Sequence, residues 1–448
     1  MRAAALALIA VFALCPAVPG GENADVFTSD DLHLAVTVLE DMQRAVEDNY
    51  SPREKVGSAF AASGRETRKA LAGVHSNNEA YALIADLLAS LDPRIRFYPP
   101  PHQVRVDYSW HWQLVGAAAY VSQVDREGDA ARQGLRLGDT VRSFEGVAIS
   151  RENYQLVDYT FNRLAPRPGL RILVESPGQE PRWLAVASTV RPLRAILASG
   201  GPNHPRLSWV LSETDERHRA EFLDLKQHLH HVGGTVVWRA LELERDIGAV
   251  SDGVKELQGA SAVVLDLRGE NILRHEPAMA LLDGLFLKGF EAGEIKRDHR
   301  FSEKLAVHGH SNAFAGTLLI LVDANTGGYA ELLARIVQDK QRGVIIGDRT
   351  MGRIFDAERV QHTRGTTFNF TAASVLLPVG DIVGADGASL AGQLVIPDLL
   401  LLPTGSDLAG RRDVVLAKAL AMLKQPMSPE DAFKIVHLPS EDDDDNEW

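Results

Sequence analysis

The spacing of apolar side chains divides the chain into three stretches of different character. From Asp30 to about Pro101, Leu32, Leu34, Val36, Leu39, Met42 and Val46 recur at helical spacing, and a second apolar stripe runs from Tyr81 through Leu88 to Leu91. Asp92-Pro93 ends that stripe, because proline pushes the residue before it out of helical geometry. From about Val106 to Thr189 the period shortens to alternation, as in Tyr120-Val121-Ser122-Gln123-Val124, with glycines at the turns. A short helical piece is expected over Asp129–Gln133 and a strand over Thr140–Phe144. From Gly233 onward strands and helices alternate. Strands are expected over Thr235–Leu243, Ala262–Leu267, Thr317–Val322, Val344–Ile346 and Ser374–Leu377, and helices over Ile247–Leu257, Pro277–Phe286 and Ala330–Asp339. Almost uninterrupted apolar strands between helices predict an α/β core whose largely parallel strands are buried on both faces.

Arg191–His231 reads as a connector with helical character, and no internal repeat is evident. The expected organisation is therefore a leader (1–20), a helical region (25–105), a β-rich module (106–190), a connector (191–232), an α/β domain (233–405), and a C-terminal helix with an acidic tail (406–448). A chain of 448 residues is too long for one ordinary core, in keeping with several domains.

Charge narrows the function classes. The net charge is −13, and phosphate-backbone binding needs a basic footprint that the sequence lacks, so no nucleic-acid partner is expected. Six of the negative charges, Glu441, Asp442, Asp443, Asp444, Asp445 and Glu447, fall in the last eight residues, which read as a solvated end. At the other terminus Arg2 precedes an apolar run from Ala3 to Val18 that closes in small residues and Gly20, the pattern of a secretory signal. The run is shorter than the roughly 20 apolar residues of a comfortable span, so a retained anchor is the alternative reading. Export to the periplasm or cell envelope follows, with membrane attachment only through this segment. Cys15, the single cysteine, lies inside it. Lipidation there is incomplete as a motif, because Leu14 stands where a small residue belongs. Removal of the leader leaves no cysteine, hence no disulfide or thiol chemistry.

In the second stretch Ala130-Ala131-Arg132-Gln133-Gly134-Leu135, then Gly138-Asp139 and Gly146, resemble a PDZ domain, whose members bind peptide C-termini as an added strand. The resemblance implies peptide contacts from Leu114, Val115, Gly116, Ala118, Tyr120 and Leu135. A small β domain without a ligand is the plainer alternative. The Trp110–Trp112 segment reads as core or groove lining.

The third stretch carries an ordered set of landmarks. Leu265-Asp266-Leu267-Arg268 ends one strand. Thr326-Gly327-Gly328 joins another to a helix bearing Glu331, Gly347-Asp348-Arg349-Thr350-Met351-Gly352-Arg353 follows, and Pro397-Asp398 closes the domain. With the Leu91-Asp92-Pro93 segment and the β-rich module ahead of it, this order resembles the C-terminal processing (tail-specific) serine peptidases from roughly Asp30 to Leu402. The resemblance implies a serine, a lysine base and a supporting glutamine at the positions occupied here by Gly328, Arg353 and Ala357. It also implies a Gly-Gly oxyanion pair where this chain has Gly269-Glu270-Asn271-Ile272-Leu273.

Each departure has a chemical consequence. Glycine offers no oxygen to attack a carbonyl, arginine stays protonated and cannot serve as a base, and alanine orients nothing. Losing such groups costs on the order of 10⁶ in rate. Glu270 brings the wrong sign to an oxyanion site. What remains to expect is binding. Gly327 and Gly328 precede a helix whose N–H groups favour an anion, and Arg353 adds a fork suited to a carboxylate. A vestigial loop is the bland counterpart.

No cofactor or metal is expected. His228, His230 and His231, like His308 and His310, cluster without a matching acidic or cysteine set. Thr326, Tyr329 and Thr350 are candidates for a displaced nucleophile, whereas Asp323, Glu331 and Asp348 read as local caps and anchors. The leading expectation is a noncatalytic envelope protein that binds polypeptide ends, an adaptor or a decoy partner of an active protease. A peptidase with relocated groups and a purely structural assembly protein are the alternatives.

Overall fold

The computed structural model describes residues 27–436 apart from 101–103, 193, 199–205, 211–227, 241–242, 244–246, 298–300 and 365–368. The leader, Cys15 and the acidic tail lie outside the described residues. Helices α1 (Ser29–Asn49), α2 (Ser58–Leu71) and α3 (Asn77–Leu91) open the chain. Thr28 starts α1 with a capping box closed by Asp31, and Ser76 caps α3 through the Glu79 N–H, which satisfies donors that a helix start leaves open. Of the apolar stripe foreseen on α1, Leu39, Met42 and Val46 are buried, as is Val38 beside them, while Leu32, Leu34 and Val36 are partly buried. Its partner is remote in sequence. Val375, Leu377 and Val379 pack into the same core, and strand β1 (Arg96–Tyr98) pairs antiparallel with that distant segment, Arg96 opposite Leu376.

β2 (Val104–Asp107) leads to the β-rich module: β3 (Trp110–Val115), β4 (Ala118–Val124), a one-turn α4 (Asp129–Arg132), β5 (Thr140–Phe144), β6 (Val147–Ala148), α5 (Tyr154–Tyr159), β7 (Gly169–Glu175) and β8 (Arg182–Ala187). Its sheet runs β3-β4-β5-β7-β8, all antiparallel, so β3 is an edge strand with one ladder. Trp110, Phe144, Phe161 and Ile172 fill the module's own core.

The connector differs from expectation. Wherever it is described it forms strand: β9 (Thr189–Pro192), β10 (Arg194–Ala198), β11 (Arg206–Val210) and β12 (Leu229–Val232). Ladder pairing of β10 with β11, and of β12 with the next strand, outweighs a weak helical pattern.

The α/β domain follows with β13 (Thr235–Arg239), α6 (Ile247–Glu256), β14 (Ala262–Asp266), β15 (Asn271–Ile272), α7 (His275–Leu285), β16 (Phe290–Arg297), β17 (Phe301–Val307), β18 (Thr317–Val322), α8 (Gly328–Asp339), β19 (Val344–Gly347), β20 (Asp356–Arg364), β21 (Asn369–Gly384) and β22 (Leu399–Leu400). The foreseen parallel sheet runs β13-β14-β18-β19-β22, with β12 antiparallel at its edge. Short helices α9 (Gly405–Ala409), α10 (Val414–Met422) and α11 (Pro429–Val436) finish the described chain, α10 and α11 burying one sheet face through Leu416 and Leu420. The fold is α/β. The β16–β17 hairpin and the β20–β21 ribbon form a second, mostly antiparallel sheet that the sequence reading did not anticipate. Among the described residues no helix is long and apolar enough to cross a membrane.

Candidate functional site

β18 is buried along nearly its whole length and delivers the chain into the turn Asp323–Gly328. That turn is built rigidly. Asp323 Oδ1 accepts the Gly269 N–H at 2.9 Å and the Asn325 N–H at 3.0 Å. The Thr326 hydroxyl donates to the Leu267 carbonyl at 2.9 Å and accepts the Asp323 N–H at 3.0 Å. Burial pushes the Asp323 carboxyl above its usual range, against the hydrogen bonds from Gly269 and Asn325.

Gly328 opens α8 with φ +59°, a left-handed conformation that glycine adopts freely. Beside it runs β15, joined by parallel bridges Asn271–Gly327 and Ile272–Gly328, and the Gly327 N–H donates to the Glu270 carbonyl at 2.9 Å. A Cβ on Gly328 would lie 2.1 Å from the Ile272 carbonyl oxygen. A Cβ on Gly327 would lie 2.9 Å from Met351 Sδ and 3.0 Å from Asn271 Oδ1. The space a nucleophile's methylene needs is taken by backbone. This corrects the expectation that Gly327 and Gly328 front an emptied cleft: on their side-chain side, Asn271, Ile272 and Met351 fill it.

Arg353 reaches this region through its backbone. Its N–H donates to Glu331 Oε2 at 2.8 Å, and Glu331 is in the first turn of α8. Glu331 Oε1 accepts the Gly352 N–H at 2.7 Å and the Thr350 hydroxyl. Burial raises the Glu331 carboxyl, and these donors pull it back. Both oxygens face donors, so Glu331→Gln must turn an NH₂ onto an N–H. We expect that substitution to cost about 1–3 kcal/mol, the desolvation penalty of a buried group left unpaired, measured by urea unfolding. An unchanged midpoint would refute the anchoring role.

The Arg353 guanidinium points its bonds elsewhere, to Gln155 Oε1 at 3.3 Å and the Arg94 carbonyl at 3.0 Å, and stacks near Phe355. Burial first, then repulsion from Arg96 and Arg94, lowers it to about 9. Gly328 and Arg353 thus share the Glu331 bridge without touching. Ala357 lies on β20 opposite Pro378.

The three hydroxyls near the turn are committed to the fold. Thr326 is fully buried in the bonds above. Thr350 donates to Glu331 and accepts the Val395 N–H at 2.7 Å. Tyr329 donates to Asp356 Oδ1 at 3.2 Å, and burial followed by that carboxylate raises its phenol far beyond the ordinary range. His275 packs its ring 5.9 Å from Tyr329 and sits 3.3 Å from Glu303. His308 lies 3.3 Å from Asp283, and no group of three or more His, Cys, Asp or Glu side chains suited to a metal occurs among the described residues.

The residues expected to hold a peptide in the β-rich module sit at a junction instead. Gly116 turns the β3–β4 hairpin with φ +60°, and its N–H donates to Asp348 Oδ2 at 2.7 Å. Arg151 donates to the same Asp348 oxygen at 3.0 Å and to the Gly116 carbonyl at 2.7 Å. Leu114, Val115 and Leu135 are buried, Tyr120 packs against Gly405, and Ala118 pairs with Val115. This hairpin fastens the module to the α/β domain, at residues where the sequence led to an expectation of peptide contacts. The free edge of the module is the other side of β3, facing α5. There Tyr154 donates to the Trp112 carbonyl at 3.1 Å, and Trp112 Nε1 donates to Asp158 Oδ1 at 3.0 Å. Tyr154, Asp158 and Arg151 were not singled out from sequence; the only available signal was a Tyr154–Val157–Asp158 helical spacing.

Between module and α/β domain lies a cavity of about 470 Å³ at the carboxyl ends of the parallel strands, where open α/β sheets place ligands. Arg239, Asp266, Val322 and Gly347, the ends of β13, β14, β18 and β19, line it, together with Leu114 and Phe433. Gly328 and Arg353 do not.

The site thus combines a mostly parallel α/β sheet, a strand-to-helix turn that meets a Gly-Asp-Arg loop, and an antiparallel module clamped above the strand ends. Residues 242–390 match the family model of Peptidase family S41. It is 28% identical over 163 residues to the C-terminal processing peptidase, chloroplastic, of Tetradesmus obliquus, a match covering 34% of this chain. The match spans about a third of that relative's length (32%). Among solved structures, mature CPAF aligns with a TM-score of 0.58 over 85% of this chain and 95% of that one, at 11% identity. Mature CPAF complexed with lactacystin aligns with a TM-score of 0.58 over 91% and 99%, also at 11% identity. At such identities these likenesses show the fold alone.

Proposed function

We propose that this protein is a noncatalytic homologue of the C-terminal processing serine peptidases that holds polypeptide C-termini in the cell envelope. The observation that carries the reading is the Ile272 carbonyl oxygen, 2.1 Å from where a side chain on Gly328 would begin. Acyl transfer needs a hydroxyl with an adjacent base. Gly328 has neither a hydroxyl nor room for one, and Thr326, Tyr329 and Thr350 are each spent on structural bonds. Binding is supported by the PDZ-like module, whose β3 offers one unladdered edge, and by the cavity at the strand ends. Export rests on the N-terminal apolar run alone.

The competing reading is a serine-type peptidase with relocated groups. Incubation with an unfolded polypeptide and a fluorophosphonate probe separates the two. We expect neither cleavage nor labelling; stoichiometric labelling of one hydroxyl would overturn the noncatalytic assignment. For binding, peptides ending in apolar residues with a free carboxylate should bind at least tenfold more tightly than their amides. That corresponds to the roughly 1.4 kcal/mol that a tenfold change represents. Equal affinity for acid and amide would remove the claim that chain ends are the ligand.

A further inference from the structure

A group of arginines gathers where β1, α5 and the loop before β20 meet. Arg94 is paired, its fork lying on Asp92 at 2.7–3.1 Å, and Asp92 also accepts from Tyr50 at 2.9 Å. Arg96 and Arg353 have no carboxylate partner among the described residues. Arg96 spends Nη1 on the Pro93 and Ile95 carbonyls, leaving Nε and Nη2 without an acceptor there. Arg353 spends Nη1 and Nη2 on Gln155 and the Arg94 carbonyl, leaving Nε without one. Aromatic rings wall the group. Tyr159 lies 5.7 Å under Arg96, and Phe355 lies between Arg94 at 5.1 Å and Arg353 at 5.7 Å.

Two half-buried guanidinium groups that repel each other, next to aromatic faces and with unspent donors, are a place where an incoming anion gains charge-assisted hydrogen bonds. Planar forks match a planar carboxylate better than a point cation would. We propose that Arg96 and Arg353 form the receptor for the terminal carboxylate of a bound polypeptide. The inference rests on the end-binding reading above and gives it an anchor in these two side chains. The desolvation that lowers Arg353 fits a site shaped to be neutralised by a ligand. Gln155 and Tyr159 come from α5, which also faces the free edge of β3, so one helix borders both features.

The test uses the full chain with acetyl-Ala-Leu, its C-terminal amide and inorganic phosphate at constant ionic strength, binding being followed by calorimetry. The free acid should bind the unmodified protein at least tenfold more tightly than the amide. Arg96→Gln and Arg353→Gln should each bring the acid down to the level of the amide and leave the amide unchanged. Arg353→Lys, which keeps charge without the fork, should fall between. Circular dichroism confirms that each variant is folded, and Arg96→Gln decides the matter if Arg353→Gln is not. Undiminished binding of the acid by both Gln variants overturns the proposal, even if chain ends still bind elsewhere. Tighter binding of phosphate than of the acid overturns the carboxylate assignment. Conversely, if no peptide binds but acetate raises the unfolding temperature of the unmodified protein and not of Arg353→Gln, the arginine receptor stands and the end-binding reading falls.

Discussion

Gly328→Ser combined with Arg353→Lys is expected to leave the protein inactive toward an unfolded polypeptide, although it restores the hydroxyl and amine that the related peptidases use. The obstacle is steric. Serine at φ +59° pays the left-handed penalty of roughly 1–2 kcal/mol, and its Cβ must displace the Ile272 backbone, an overpacking that costs about 1–3 kcal/mol. The serine substitution alone should therefore lower stability by about 2–5 kcal/mol, read from the denaturant midpoint. The rate should remain at the uncatalysed background. Cleavage at an ordinary enzymatic pace, or a stability loss well under 1 kcal/mol, would mean that β15 gives way easily and that the turn is an intact site short of its side chains.

The second large effect concerns Arg268. Its fork holds Asp266 at 2.8 and 2.6 Å and Asp413 at 3.1 and 2.7 Å, joining the end of β14 to the start of α10. Both carboxylates are almost completely buried. Coulombic attraction to Asp266 and Asp413 outweighs burial and holds the guanidinium well above its ordinary value. Arg268→Ala removes the forked cation between two buried anions that also feel the Arg239 guanidinium, and breaking a buried pair in this way costs about 3–5 kcal/mol. Urea unfolding midpoints of the two proteins at pH 8 measure this. A deficit below about 1 kcal/mol at pH 8 would show that the triad behaves like a solvated surface pair.

Much of the α/β domain was legible because buried parallel strands announce themselves. Ala262–Asp266 and Thr317–Val322 are apolar runs, and helices lie between them where the 3.6 period appears. The resemblance that sets Gly328 and Arg353 at a serine and a lysine position rests on motif order and spacing. What the sequence could not carry is the third dimension of the loops. Nothing in Gly269-Glu270-Asn271-Ile272-Leu273 says that it folds against Gly327-Gly328 as a strand fragment, because that contact depends on tertiary packing between segments 56 residues apart. The interdomain bond of Gly116 was not foreseen for a related reason. A glycine in a turn fits a peptide-contacting loop and an interdomain hairpin equally well, and its partner Asp348 lies 232 residues away. Likewise β16, β17 and β20 carry mixed polar sequences whose strand state comes from ladder partners rather than from local preference.

The pairing of β1 with β21 binds residue 96 to residue 376, and the face of α1 is sealed by Val375 and Leu377. During synthesis the first three helices emerge with their oily side uncovered and must wait for some of the last strands to be made. Contacts of such sequence separation slow folding and leave sticky surface exposed meanwhile. A protein tied across its sequence in this manner leaves its opening helices without a complete core until β21 has been made.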